Sequence, residues 1–167
     1  VYPIIKFKRD ERTDGMYWMF ILNDLFIDSV VLPAEEIAEY LLQKEVWQYT
    51  PLTPNIKKIK KGDKVLVYLA GPKRKYFYAT FEIQEQIKST NMELKKSEDW
   101  KESFNRMFKL DSPICSVEKF KGKIYLDEEL RARLSFIVDK RNWGLYFRQG
   151  IRTLSEQDYK AVMACVK

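Results

Sequence analysis

Between Ile56 and Lys75 the chain places eight cations, Lys57, Lys58, Lys60, Lys61, Lys64, Lys73, Arg74 and Lys75, against a single acid, Asp63. At that density Lys and Arg do one kind of chemistry well. They neutralise phosphates and release the counterions condensed on a nucleic acid, which gives an affinity that falls steeply with salt. The segment's net charge of +7 exceeds the +6 of the whole 167-residue chain, so the excess is local rather than a general coat. A solvated lysine-rich region of the kind that supports heat stability is the other reading of these residues.

Phosphate contacts carry no information about a base; aromatic faces do, because an unstacked base lies flat on them. Of the four tryptophans, Trp100 falls on the apolar face of a helical pattern and Trp18 inside a continuous apolar strand, and both read as core. Trp143, following Lys140-Arg141-Asn142 and preceding a strand pattern, also reads as core. Trp47 differs. It follows a helical pattern and enters the proline-held stretch Tyr49-Thr-Pro-Leu-Thr-Pro54 beside the lysines, where a large ring is hard to bury, so it is the first candidate for stacking.

The chain contains no histidine, which removes Ser-His and Cys-His nucleophile systems and the commonest general base near neutral pH. Cys115 and Cys165 stand far apart with no Cys-x-x-Cys, which argues against a zinc site and a disulfide framework. Asp63 and Asp158 could in principle hold a metal for chemistry on nucleotides. Each has a simpler account, Asp63 as a turn residue and Asp158 as part of a helix cap. The expectation is a binding protein with no catalytic residue, no metal and no cofactor.

No apolar run approaches the roughly 18 residues that cross a membrane, and residues 1–14 carry charges where a secretory signal would be apolar. A cytoplasmic protein is expected. Composition is that of a globular domain, 46% hydrophobic and 14% aromatic, and the length suits one compact unit.

The elements that must position these residues follow from periodicity. Residues 1–15 read as a polar arm ending in the turn Thr13-Asp14-Gly15, with one domain over 16–167. Met16 to Leu22 reads as a buried strand, and Pro33 to Lys44 as a helix with Ala34, Ile37, Ala38 and Leu41 on one face. Lys64 to Ala70 and Tyr76 to Lys88 form a hairpin around Gly71-Pro72-Lys-Arg-Lys75. Ser97 caps a helix to Lys109 that serves as a flap. Pro113 to Leu126 reads as a hairpin turned at Lys121-Gly122-Lys123, Asp127 to Ile137 as a helix, Gly144 to Ile151 as a strand, and Ser155-Glu-Gln-Asp158 as the cap of a terminal helix. Five or six strands with intervening helices make an α+β chain whose mixed sheet curls into a small barrel.

Four segments in order, Tyr17-Trp18, Val46-Trp47, Lys61-Gly62-Asp63-Lys-Val-Leu-Val-Tyr68, and Leu134-Ser-Phe136-Ile-Val-Asp-Lys140-Arg-Asn-Trp143 with Phe147, Gly150, Leu154 and Asp158-Tyr159, resemble the EVE domain family. The resemblance covers nearly everything after Gly15. It implies a PUA-like barrel similar in fold to YTH domains, and a non-catalytic module that holds a modified base of DNA or RNA in an aromatic cage. Carried onto this sequence, it makes Trp47 the first cage wall, with Trp18 or Tyr17 on the neighbouring strand and Tyr68 across from it; Phe147 and Arg148 are further candidates. Two departures bear on pocket size and ligand: Gln48 stands where relatives often have Gly after the tryptophan, and the insert from Ser97 to Leu110 has its own sequence. The alternative partner is protein, met by the Trp100 to Phe108 face as a dimer contact.

Overall fold

The computed structural model describes residues 15–89, 100–147 and 150–167. The expected N-terminal arm, Gly15 apart, and the expected cap Ser97 lie outside them.

In chain order the strands are β1 (Tyr17–Leu22), β2 (Leu25–Ile27), β3 (Val30–Leu32), β4 (Val46–Tyr49), β5 (Lys64–Leu69), β6 (Tyr76–Ile83), β7 (Lys88–Ser89), β8 (Leu110–Tyr125) and β9 (Ile151–Leu154). The helices are α1 (Ala34–Lys44), α2 (Lys101–Met107), α3 (Glu128–Arg133) and α4 (Glu156–Met163), with 3-10 turns at Ile56–Lys58 and Trp143–Phe147. One sheet runs β4-β8-β6-β5-β1-β9, with β7 also on β8, and β2 and β3 form a separate hairpin. The sheet is curled and mixed: β1 and β5 are parallel, and every other pair is antiparallel.

Side-chain alternation along β1 and β5 divides the interior into two cores, one on each face. Trp18 and Phe20 of β1, with Val65, Val67 and Leu69 of β5, point to the side covered by α1, β4 and α2. Met19 and Ile21, with Leu66 and Tyr68, point to the side covered by α3, α4 and the second 3-10 turn. Because both faces are covered, β5 and β6 are almost wholly buried instead of alternating, as the central strands of a two-sided sheet must be.

The start of the domain is fastened by Asp63, which is 0% exposed. Its carboxylate accepts from the Met16 N–H (2.9 Å), the Trp18 indole N–H (2.8 Å) and the Lys60 N–H (2.9 Å). Gly15 packs so closely on this turn that a Cβ there would meet the Gly62 carbonyl oxygen at 2.3 Å, so only glycine fits. The face expected of α1 is the face it buries, Ala34, Ile37, Ala38, Leu41 and Leu42, after Pro33 in the cap position.

Four readings of the sequence are corrected. Residues 25–32, given no structure, form the β2–β3 hairpin around Asp28 and Ser29, both at positive φ (52° and 65°) as a tight primed turn requires. Residues 46–49 are strand β4, not loop, because the far segment of β8 pairs with them, Trp47 opposite Ser112. Lys121-Gly122-Lys123 does not turn: β8 continues through it for 16 residues, absorbing curvature in two register shifts against β6. Gly144 to Phe147 is a 3-10 turn instead of a strand, because Asp139 accepts from the backbone N–H groups of Arg141 and Asn142 and winds the chain as it enters.

Candidate nucleic-acid interface

The eight cations do not share one surface. Lys57 and Lys58 sit on the first 3-10 turn, Lys60 and Lys61 precede β5, and Lys64 opens it; all five are exposed. Lys73, Arg74 and Lys75 lie in the β5–β6 connection at the other end of the strand. The six residues of β5 span five steps of about 3.3 Å, which puts the strand's two ends about 17 Å apart. Segments adjacent in sequence come to opposite ends because an extended strand runs between them.

Within the second group the cations differ in what faces them. Arg74 is turned inward between Glu35 (2.6 Å) and Asp24 (2.7 Å), a partly buried pair of ion contacts that leaves it no net charge to offer. Burial alone would raise the Glu35 carboxyl, but hydrogen bonds from its own backbone N–H, from Arg74 and from the Tyr76 hydroxyl (3.0 Å) hold it below the usual carboxylate range. Burial and that same bond push the Tyr76 phenol up to about 12. One helical turn on, Glu39 takes a short hydrogen bond from Tyr78 and an ion contact from Lys119 (3.1 Å), and its carboxyl is lowered first by the Tyr78 bond. These two Glu–Tyr rungs dock α1 on β6.

Lys73 and Lys75 are exposed, and Lys75 stands at the mouth of a cleft of about 590 Å³. The cleft opens where β1 and β5 end side by side, the end at which parallel strands of open sheets present ligand sites. Asn23 follows β1, Ala70 and Gly71 follow β5, and Arg141 to Leu145 with Phe147 form the opposite wall. Its floor is aromatic: Tyr68 and Phe147 lie 4.6 Å apart between ring centres, and Phe136 and Trp143 pack on Phe147 at 5.7 and 5.9 Å. Tyr68 is 1% exposed and burial pushes its phenol well up, so it stays neutral and contributes its ring. Trp143 is half-buried and carries two cations over its ring, the Arg131 guanidinium at 4.7 Å and the Lys75 ammonium at 5.3 Å. The rim is pre-shaped by Asp139, whose carboxyl is held low first by the Asn142 side-chain amide (3.0 Å) and then by backbone N–H groups.

Of the residues expected to build a cage, Tyr68 and Phe147 meet in this cleft. Trp47 and Trp18 do not join them. Trp47 is 3% exposed, its ring against Phe20 (5.7 Å) and Phe81 (5.3 Å), and Trp18 is 0% exposed with its indole N–H on Asp63. Both lie across the sheet from Tyr68: Trp18 pairs with Val65, three residues before Tyr68 on β5 and so on the opposite face, and Trp47 packs in the same core as Trp18. Tyr17 shares the face of Tyr68 but sits at the other end of β1, its ring tilted against Tyr159 at 4.8 Å. Arg148 lies outside the described residues. Trp143, Asn23 and Arg141 were missed as cleft residues, although the run Lys140-Arg141-Asn142-Trp143 joins charge to a ring and was the available signal.

The carboxylates considered for metal chemistry are committed elsewhere. Asp63 serves its three N–H donors, and Asp158, 1% exposed, accepts from the Ser135 N–H (2.9 Å) and hydroxyl (2.7 Å) while its own N–H caps onto Ser155. The α2 face considered for dimer contact is turned inward: Phe104 is fully buried, stacked on Phe108 at 4.2 Å and set against Tyr40. No described helix is long and apolar enough to cross a membrane.

Comparison with known proteins agrees with this architecture. A family model described as the EVE domain matches residues 34–165. A protein of Leishmania major superposes with a TM-score of 0.58 at 14% identity, covering 92% of this chain and 96% of its own. Human THYN1 protein, solved in complex with DNA containing 5-methylcytosine, gives 0.57 at 13% identity over 90% and 96%. The YTH domain of Zygosaccharomyces rouxii MRB1, solved with N6-methyladenosine RNA, gives 0.53 at 8% identity over 92% and 89%. No curated protein matches the sequence at a significant level.

Proposed function

The chain belongs to the EVE domain family, and from that premise we propose that it is a non-catalytic nucleic-acid-binding module that receives a modified or flipped base. The observation that carries the reading is the cleft at the ends of β1 and β5. There the rings of Tyr68, Phe147 and Trp143 meet Lys75 and Arg141 in one concavity, a volume within the ~300–1,000 Å³ range of small-ligand sites. The half-buried Trp143 ring supplies the stacking surface for a base taken out of its helix, backed by the buried Phe147 and Tyr68, and the rim cations supply the phosphate contacts on either side of it. Two proteins of similar fold, human THYN1 and the yeast YTH domain, were solved with methylated DNA and methylated RNA, which supports a nucleic-acid ligand here.

The lysines at the far pole, Lys57, Lys58, Lys60, Lys61 and Lys64, extend the footprint by sequence-independent attraction. The reading is tested by titrating single- and double-stranded oligonucleotides, unmodified and carrying 5-methylcytosine or N6-methyladenine, at low salt. Binding that weakens log-linearly with salt, and tightens for one methylated strand, is the expected result. Undetectable binding of every probe at low salt would overturn it.

A further inference from the structure

Within this nucleic-acid reading, we infer that Lys75 selects single-stranded nucleotides by exchange: a base takes the place of its ammonium over Trp143, and the ammonium moves to that nucleotide's phosphate. Lys75 holds a left-handed backbone, φ +63°, which a residue with a Cβ adopts at a cost. Its N–H donates to the Leu69 carbonyl (2.9 Å) and its carbonyl accepts from the Leu126 N–H (2.8 Å), so the conformation is fixed from both sides. The side chain therefore leaves the hairpin toward the cleft, and the ammonium rests 5.3 Å from the Trp143 ring centre. Strain retained at a ligand-facing position is a mark of function when the surrounding structure enforces it.

The two cations on Trp143 are not equivalent. Arg131 is tied down, its guanidinium donating to the Leu126 carbonyl at 2.7 Å. Lys75 has no carboxylate partner among the described residues, and its contact with the ring is of the weak exposed kind. The groups facing it across the cleft are Arg141, Asn23 and Asn142, and the nearby acid Asp139 is occupied by Asn142 and two backbone N–H groups. Its neighbour Arg74, by contrast, is matched by Asp24 and Glu35. The cleft mouth thus holds an exposed positive charge with no carboxylate partner among the described residues, beside a ring face that charge only loosely covers. An anion and a flat π-system joined by a few bonds satisfy both, and a nucleotide is that molecule. A duplex offers its base faces only after unstacking, so a single strand is preferred.

The test is fluorescence anisotropy with a fluorescein-labelled oligothymidylate and the same strand in duplex with oligoadenylate, across a salt series. Wild-type protein is expected to bind the single strand more tightly. Lys75→Met is expected to weaken single-strand binding about tenfold, to reduce its salt slope by about 0.7, the share of one phosphate contact, and to remove most of the preference over duplex. Trp143→Ala is expected to remove the same preference. Lys75→Gly, which relieves the left-handed strain, should melt at least as high as wild type while binding as poorly as Lys75→Met, which separates the site from the fold. Single-strand affinity and preference unchanged in Lys75→Met would overturn the exchange while leaving the nucleic-acid reading in place; no binding of either probe by wild type would overturn that reading itself.

Discussion

The two faces of the central sheet carry similar aromatic content and opposite prospects. On the α1 face Trp18, Phe20, Trp47, Tyr49 and Phe81 form a closed cluster in which every ring is almost fully buried; the Trp18 indole is held by Asp63 and the Tyr49 hydroxyl by Ser112. On the other face Tyr68, Phe147 and Trp143 run out to a cleft, and the last of them meets solvent and the exposed Lys75 ammonium. A ring serves stability when its surroundings are complete and serves recognition when one side is left for a ligand. Residue type does not distinguish the two cases; the packing around the ring does.

Substitutions can break or sharpen that contrast. The largest effect belongs to the closed face: Trp47→Ala should cost about 4 kcal/mol of stability by leaving a cavity between Phe20 and Phe81, read as a lowered denaturant midpoint. Any loss of binding in that variant should follow unfolding. Full stability with binding abolished would instead move recognition to this face. Next, Asp63→Ala should cost about 3 kcal/mol, since it orphans three N–H donors of which one is the Trp18 indole. Its thermal melt is the measurement, with binding of the surviving folded protein unchanged.

On the open face the order reverses. Trp143→Ala should reduce oligonucleotide affinity about tenfold, about 1.4 kcal/mol, while lowering stability by less than half as much as Trp47→Ala. Equal losses of stability for the two would erase the distinction between the faces. Smaller again is the contrast between the ends of β5. Replacing Lys60 and Lys61 by Glu should weaken binding of all probes alike, whereas replacing Lys73 and Arg141 should also change the single-strand preference, as competition titrations would show.

The smallest effect is on acid stability. The Glu35 and Glu39 carboxyls are held below their ordinary range in the folded state. Their contribution is therefore complete above the unfolded value near 4.5 and is lost as pH falls below it through the depressed folded values. Both side chains are more than a third exposed, so the gain is screened and amounts to about 1 kcal/mol or less. Melting temperature followed from pH 6 to pH 3 should fall less steeply in the Glu35→Gln, Glu39→Gln double variant than in wild type.

Much of the fold was legible because local pattern and final environment coincide. The apolar runs of β1 and β5, the buried face of α1 and the Ser155 cap on the Asp158 N–H need only neighbours in sequence. The errors fall where a distant segment decides. Val46–Tyr49 is a strand only because β8 reaches it, and β8 runs on past Lys-Gly-Lys as a bulge because β6 pairs with it on both sides, Ala79 opposite Lys119 and Phe77 opposite Ile124. The chain determined by itself that it would be a histidine-free α+β domain with its excess charge between Ile56 and Lys75 and rings enough to stack a base. Tertiary structure alone decided which rings and which charges stand together. The extended strand β5 sets its two ends about 17 Å apart and the lysine groups with them, and alternation sends Trp18 and Tyr68 to opposite faces. A turn wound by Asp139 brings Trp143 beside Lys75 from 68 residues away.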